Sequence, residues 1–599
     1  MFRNWLSRRR GSSKQFPVQN KGVNQPTFER LEVRSMLTTL TVDISDPSAD
    51  DPGDNLYAQI SEAVDAAAEG DTIKVHAGTY KPFVVNTDNL TVREARRNSD
   101  PVVDGNLNQG DENGVLIYAN GVTVRGLMVQ NAGGSIDQGN GFLVKGDSNT
   151  LINNSASDNS VGFSVSNGHH NVLKGNTSEN NTNKGFSIHR SDDNFFRGNT
   201  ALENGKIGFL ISGSDDNTFR SNFATHSNHQ GFYISTSSGN AFTHNKVSDN
   251  GITGFLMRRA AGNIVISNQV SNTEGDGFAL SGDNNVLVDN LSYGNSSVGI
   301  RIIDGSKNFL MRNVATDNEN GGFFLHSFEG SNTLKQNRAV KNSGDGFFLE
   351  SSSNTLVNNM AILNKGTGFV VDESYNTLAN NIAHRNSNGF FVFGDSTELI
   401  ENRAVSNWGS GFNISGSNSQ ITKNTASGHS LAGFIILGDN NSVQENMSKH
   451  NEGVGFLFYK GNENIIEGNV ASNNSEGFVI DSDNNTLIGN TASGNDGRGF
   501  FLINGGGNIL RSNWAVGNSG DGFLLSGSDN NTLEDNWALF NEGDGFSFIG
   551  GSDSNKLERN RAFLNGGYGI LVDAVMDNLF EDNLCLFNGL GDSNQPDVC

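Results

Sequence analysis

The sequence predicts an all-β fold, a right-handed three-sheet parallel β-helix with an N-terminal capping helix. Three observations carry that prediction. A Gly-Phe pair returns every 21 to 24 residues, twenty times from Gly141-Phe142 to Gly569-Ile570, with only Ile300 and Ile570 replacing Phe. Self-similarity at this spacing means stacked copies of a small unit that cannot bury its apolar face alone. Within each unit the apolar residues alternate with polar ones, the period of strands, and no run holds the 3.6-residue period of helical repeats. No proline stands between Pro101 and Pro596, as expected where every inner strand must donate to a ladder.

One unit, residues 346–367, illustrates the coil. Phe347 and Leu349 alternate with polar neighbours in a first short strand. A Ser-rich turn leads to a second strand with Leu356 inward, which Asn359 ends. A third strand carries Ala361 and Leu363 before Asn364 and the next glycine. The mid-unit Asn recurs in all twenty coils, as in Asn154, Asn176, Asn199 and Asn222, and a second Asn stands five residues earlier. Rungs stack about 4.8 Å apart, so a repeated position becomes a ladder along the axis. An amide supplies both a donor and an acceptor there, and Asn tolerates the left-handed backbone of a sharp corner. Both the Asn and the Phe columns therefore read as structural.

The ends differ from the array. Arg3, Arg8, Arg9 and Arg10 open a basic segment over residues 1–40 that lacks the apolar stretch of an ordinary signal peptide. From Asn55, the residues Leu56, Ile60, Ala63, Val64 and Ala67 keep helical spacing up to Gly70, which predicts a helix over 55–69 covering the first rung. The organisation is thus a leader over 1–40, a cap with irregular coils over 41–140, regular repeats over 141–588, and a tail over 589–599. A solenoid grows in one dimension, so 599 residues need not mean several globular domains. The net charge of −24 excludes a nucleic-acid partner and permits cation binding. No apolar run is long enough to span a membrane.

Two resemblances follow from particular strings. Phe28-Glu29-Arg30-Leu31-Glu32-Val33-Arg34-Ser35-Met36-Leu37 resembles the LEPR-x-LL type of N-terminal segment found on large exported and surface proteins of certain bacteria, with Val33 in place of the pattern's proline. That resemblance implies an extracellular or cell-surface location. The string from Ile60 to Ile73, followed by Ala77-Gly78-Thr79-Tyr80, is similar to the entry of the pectin-lyase-like β-helix superfamily. The later coils resemble its NosD-type and carbohydrate-binding or sugar-hydrolase repeats. The superfamily holds lyases, hydrolases, epimerases and binders without activity, so the resemblance speaks for fold and leaves the chemistry open. Its enzymatic motifs do not transfer. The array lacks the proline of the pectate lyase pattern, Asn86-Thr87-Asp88 is remote from Asp192-Asp193, and Arg301-Ile302-Ile303 lacks the lysine of the polygalacturonase set. Cys585 and Cys599, the only cysteines, either close a loop over the last coil or remain two free thiols.

One charged constellation stands out among the early coils. Two residues before the first Asn the coils read Asp147, His169, Asp192 and Asp215, and one residue before it Ser148, His170, Asp193 and Asp216. Stacked carboxylates share a proton or a cation, so Asp192, Asp193, Asp215, Asp216, His169 and His170 are the catalytic candidates and Asp147, Asp192 and Asp215 the metal candidates. Calcium is the cofactor such oxygens would take. An Asp before a strand is equally ordinary turn chemistry. On the next strand Lys174, Arg197 and Arg220 form a basic column, which suits an acidic polysaccharide. Glu534, Glu558 and Glu581 form an acidic column near the other end, holding calcium or standing solvated.

A third feature is the position after the ladder Phe, which reads Phe324, Phe348, Val370, Phe391, Asn413, Ile435, Leu457, Val479, Phe501 and Leu524. If the preceding Phe points inward, this stripe points outward. It would then bind a ligand, join copies of the chain, or lie under a covering segment. The leading expectation is a polysaccharide-binding or surface-structural rod without a concentrated catalytic set. The alternatives are a lyase or hydrolase acting on acidic glycans around coils 141–230, and a self-associating adhesin.

Overall fold

The computed structural model describes residues 37–49, 55–107, 113–133, 139–327, 330–573 and 577–599. The LEPR-x-LL-like segment and its arginines lie outside the described residues, Leu37 excepted. Residues 38–599 form one unit, built as a parallel β-helix of three sheets with 25, 23 and 23 strands. At the strand spacing, 23 rungs make a rod of roughly 110 Å.

Each regular coil contributes one strand per sheet. In a typical coil these are Thr355–Val357 to the first sheet, Met360–Ile362 to the second and Phe369–Val371 to the third. Every strand pairs in parallel with its equivalent one coil on; Leu334, Leu356 and Leu378 stand in line, as do Ala339, Ala361 and Ala383. The core is correspondingly stratified. The first sheet sends in Leu, Val, Ile and Phe, the second mostly Ala, and the third the Phe column plus a second aliphatic residue. From Phe323 to Phe546 the rings stack face to face with centroids 4.6 to 4.8 Å apart. That separation is the rung spacing itself, so the rings fill the interior without voids.

The corners explain the polar ladders. The strand of the first sheet ends in a left-handed residue, Asn358 (φ 57°) or Asn380 (φ 56°), and the buried Asn follows it. Asn359 Oδ1 accepts from the backbone N–H and the Nδ2 of Asn337, at 2.9 and 3.1 Å. Its Nδ2 donates to the Leu334 carbonyl and to Asn381 Oδ1, at 2.8 and 3.0 Å. One amide thus satisfies backbone groups that a tight corner leaves without a strand partner. Leu363 departs from the sequence expectation: it occupies the next left-handed corner (φ 58°) and is exposed, while Ala361 alone points inward.

The cap also departs from expectation. The helix is Ile60–Ala66, shorter than 55–69, because Leu56–Tyr57 pairs with Thr41–Val42 instead. Glu62 Oε2 accepts the Gln59 N–H at 2.9 Å and fixes its start. Ile60, Ala63 and Val64 are buried against the first rungs. The strand Thr39–Val42 pairs with Thr72–Val75 and so begins within the expected leader. At the other end Cys585 and Cys599 form a disulfide across 14 residues, and Val598 is buried in the mouth of the core.

Candidate functional site

The acid–histidine column is knit into the backbone. Asp147 Oδ1 accepts the His169 N–H at 2.7 Å, His169 Nδ1 accepts the Asp192 N–H at 3.1 Å, and Asp192 Oδ1 accepts the Asp215 N–H at 2.8 Å. Asp215 passes the same contact to the Ser238 N–H at 2.7 Å. Each side chain therefore holds the turn of the coil that follows. The same device recurs far from these coils, in Asp283 with Ser306, Asp483 with Gly506 and Asp529 with Asp553. His169 Nδ1 lies 3.8 Å from Asp192 Oδ2, beside its backbone contact. His170, Asp193 and Asp216 sit one position on, in left-handed turns (φ 57°, 57° and 54°), and are exposed. Among the described residues, no group of three His, Cys, Asp or Glu side chains has the arrangement of a metal site.

Lys174, Arg197 and Arg220 stand in register at the far end of the first-sheet strands. Asp193 and Arg197 are separated by the strand Phe195–Arg197, about 13 Å of extended chain. The acidic and basic columns therefore run parallel along different edges of one sheet. What sequence reasoning missed is the length of the basic column. Strand register continues it toward the cap through Ile152 to Arg125, Arg93 and Lys74. Six cations thus occupy seven consecutive rungs, about 29 Å. The signal was present in the matching triplets Thr91-Val92-Arg93 and Thr123-Val124-Arg125, which the irregular spacing of the early coils concealed.

The electrostatics differ between the two ends of this column. Glu534 lies 2.8 Å from the Arg511 guanidinium, and Lys556 Nζ lies 2.7 and 3.1 Å from Glu558 and Glu581. Arg559 also contacts Glu534 and Glu558. The acidic end is neutralised in place. At the basic end Arg125 lies 3.9 Å from Glu94, whereas Lys174, Arg197 and Arg220 are exposed and have no ion pair among the described residues. Adjacent like charges at the rung spacing repel by about 0.8 kcal/mol even at the dielectric of water. Beside Arg125 the column borders a cleft of about 370 Å³, lined by Glu94, Arg97, Asn98, Asp100 and Asn153 among others.

The apolar stripe of the third sheet is less open than its alternation implied. Val370 and Leu524 are buried (8% and 4% exposed), and Phe324, Phe348, Phe391 and Phe501 are half-buried. The rings stack on one another, as Phe324 does on Phe348 at 5.4 Å. Guanidinium groups cover others: Arg301 lies 5.2 Å from the Phe324 ring centre and Arg498 lies 4.3 Å from that of Phe501. A small cleft of about 240 Å³ remains beside Phe324 and Phe348, walled by Arg301, Asn320 and Asp345. Burial pushes the Asp345 carboxyl above its ordinary range, against the hydrogen bond it accepts from the Thr367 N–H.

Residues 113–270, 196–330, 258–383, 367–515 and 477–585 each match the family described as Right handed beta helix region. The chain belongs to that family. No curated protein matches this right-handed β-helix chain. Among solved structures it is similar to the mannuronan C-5 epimerase AlgE6 A-module of Azotobacter vinelandii, at 14% identity over 58% of this chain and 88% of that one, with a TM-score of 0.36. It is also similar to a DFA-IIIase from Arthrobacter chlorophenolicus, at 11% identity over 53% and 94% of the two chains, TM-score 0.37. A GH87 α-1,3-glucanase from Streptomyces thermodiastaticus shares 12% identity over 73% and 69%, TM-score 0.30. At such scores these are likenesses only.

Proposed function

We propose that this right-handed β-helix chain is a polysaccharide-binding rod that holds an acidic glycan along the basic column of its first sheet. The observation that carries the reading is the uncompensated run Lys174, Arg197 and Arg220, extended by Arg125, Arg93 and Lys74, in a chain of net charge −24. Acids are abundant, and the far end of the same column uses bases to neutralise its own, yet Lys174, Arg197 and Arg220 stay bare. A linear polyanion meets that column rung after rung, and many weak contacts add along it. The acid–histidine column already serves the turns, which favours binding over turnover. An extracellular or surface location accords with the Cys585–Cys599 disulfide, since such bonds persist in oxidising compartments. Among the described residues no helix is long and apolar enough to cross a membrane.

The test is retention of the protein in gels and on columns carrying polygalacturonate, alginate or a neutral glucan, with and without calcium. The acidic polymers should retain the protein and the neutral one should not, with retention falling as salt is raised. The double substitution Arg197→Glu and Arg220→Glu should weaken retention roughly tenfold or more, since each reversal exchanges about 1 kcal/mol of attraction for repulsion. Equal retention of the double variant refutes the assignment. Unsaturated products or new reducing ends that disappear in Asp193→Ala would instead make the chain a lyase or hydrolase.

A further inference from the structure

The corner after the second sheet is left-handed in every regular coil, and Asn, Asp, Gly or another polar residue fills it in most of them. Leu363 breaks that rule once in mid-array, and the last three coils break it in succession. Phe540, Leu564 and Phe587 take the same conformation, with φ of 55°, 56° and 62°. Bulky side chains rarely accept that region of backbone space. All three are also exposed, at 59%, 47% and 77%. Strained backbone therefore supports a ridge of apolar side chains that the coil itself does not bury.

The ridge runs to the last coil of the solenoid. The final strands of the first and second sheets, Leu579–Glu581 and Leu584–Leu586, pair only with the preceding coil. Residues 594–599 add no strand to them and instead send Val598 into the mouth of the core, with the exposed Cys599 tied to the buried Cys585. Leu584, Leu586 and Leu590 are exposed around those edges, at 44%, 38% and 65%. With the ridge they present on the order of 600 Å² of apolar side chain. That is at the upper limit for a monomer's largest patch, and two such faces reach the lower range of specific interfaces.

We propose that a second copy of this chain docks on this end, tail to tail about a two-fold axis. The unpaired N–H and C=O groups of the last strands call for another strand, and the apolar ridge beside them is self-complementary only in an isologous contact. Head-to-tail stacking is blocked because the helix Ile60–Ala66 covers the first rungs. The pairing therefore closes at two copies and builds no filament. It doubles the length of the rod and leaves both basic columns free.

Sedimentation equilibrium and small-angle scattering on the full chain at physiological salt test this. Wild type should reach a dimer mass with a maximum dimension near twice that of the monomer. Phe587→Asn removes the ring and suits the left-handed corner. The monomer's thermal midpoint should therefore hold or rise while the dimer weakens at least tenfold. Trp408→Asn, at another exposed aromatic position (77%), should leave the dimer unchanged. A wild type that stays monomeric at its solubility limit, a dimer no longer than the monomer, or a Phe587→Asn/Leu590→Asn variant that dimerises like wild type would each overturn the proposal.

Discussion

His429 stands in a ladder made of asparagines but for Ser227 and Thr273, which gives a pH dependence to one coil. It occupies the third Asn column, between Asn407 and Asn451. Its Nδ1 accepts the Asn407 N–H at 3.1 Å and its Nε2 lies 3.2 Å from the Ala404 carbonyl. Those partners require a neutral imidazole with the proton on Nε2. Burial pushes its pKa from 6.5 down to about 4. The unfolded chain therefore binds the proton first, and the stability this neutral ring supplies is present above pH 6.5 and lost as pH falls toward 4. The full difference is on the order of 3 kcal/mol, of which about 2 kcal/mol is lost between pH 7 and pH 5. His429→Asn restores the ladder residue and removes the titration. Hydrogen exchange of peptides spanning 402–452, compared between wild type and variant at pH 7 and pH 5, reads the local stability. Wild-type protection should fall relative to the variant by about thirtyfold at pH 5, while the two stay close at pH 7. Equal protection at pH 5 would refute the buried neutral ring.

Two further substitutions probe the scaffold. Asn359→Ala leaves the Leu334 carbonyl and the Asn337 N–H without their partners; it should destabilise the neighbouring coils by about 3 to 5 kcal/mol, seen as local exchange spreading over 330–385. Cys599→Ser opens the 14-residue loop and releases Val598; it should lower stability by about 3 kcal/mol, confined to the last coils and leaving glycan retention unchanged.

The architecture was legible in the sequence because stacking turns each coil position into a ladder, and ladders repeat residues. Gly-Phe, the mid-coil Asn and the missing proline are consequences of one geometry repeated twenty times. The misread details have local causes. Leu363 looks like an inward strand residue by alternation, but the chain turns a corner after Ile362 and the alternation ends there. Leu56 fits a helical spacing and joins a strand because Thr41 supplies a partner 15 residues earlier. The site was harder to read. Lys74, Arg93 and Arg125 belong to the column of Lys174 only through strand register, and the early coils vary in length. The half-burial of the stripe arises from ring stacking and from Arg301 and Arg498 folding over it, neither of which alternation encodes.

A solenoid separates what holds it together from what it recognises. Stability adds coil by coil through nearest neighbours, so positions inside the ladder are fixed by the coil above and the coil below. Asn359 and Phe412 have no freedom to serve a ligand, being fully buried between their equivalents. The outward columns carry no such constraint, and only there do charged residues come and go along the axis. The same column of the first sheet runs from Lys74 through Arg220 to Glu558, from cations of which Lys174, Arg197 and Arg220 are bare to acids already matched by Arg and Lys. The corner column of the second sheet likewise shifts from Asn180 and Asp249 to Phe540, Leu564 and Phe587. Random drift of solvated positions would mix charges along both columns. Instead bare cations stand on the consecutive rungs of Lys174, Arg197 and Arg220, with only Lys335 and Arg511 beyond them in the column, and strained apolar corners follow one another in the last coils, with only Leu363 before them. Under the two proposals the ends differ in what they bind, a polyanion along one and a second chain across the other, while the coils between them keep an uncharged interior.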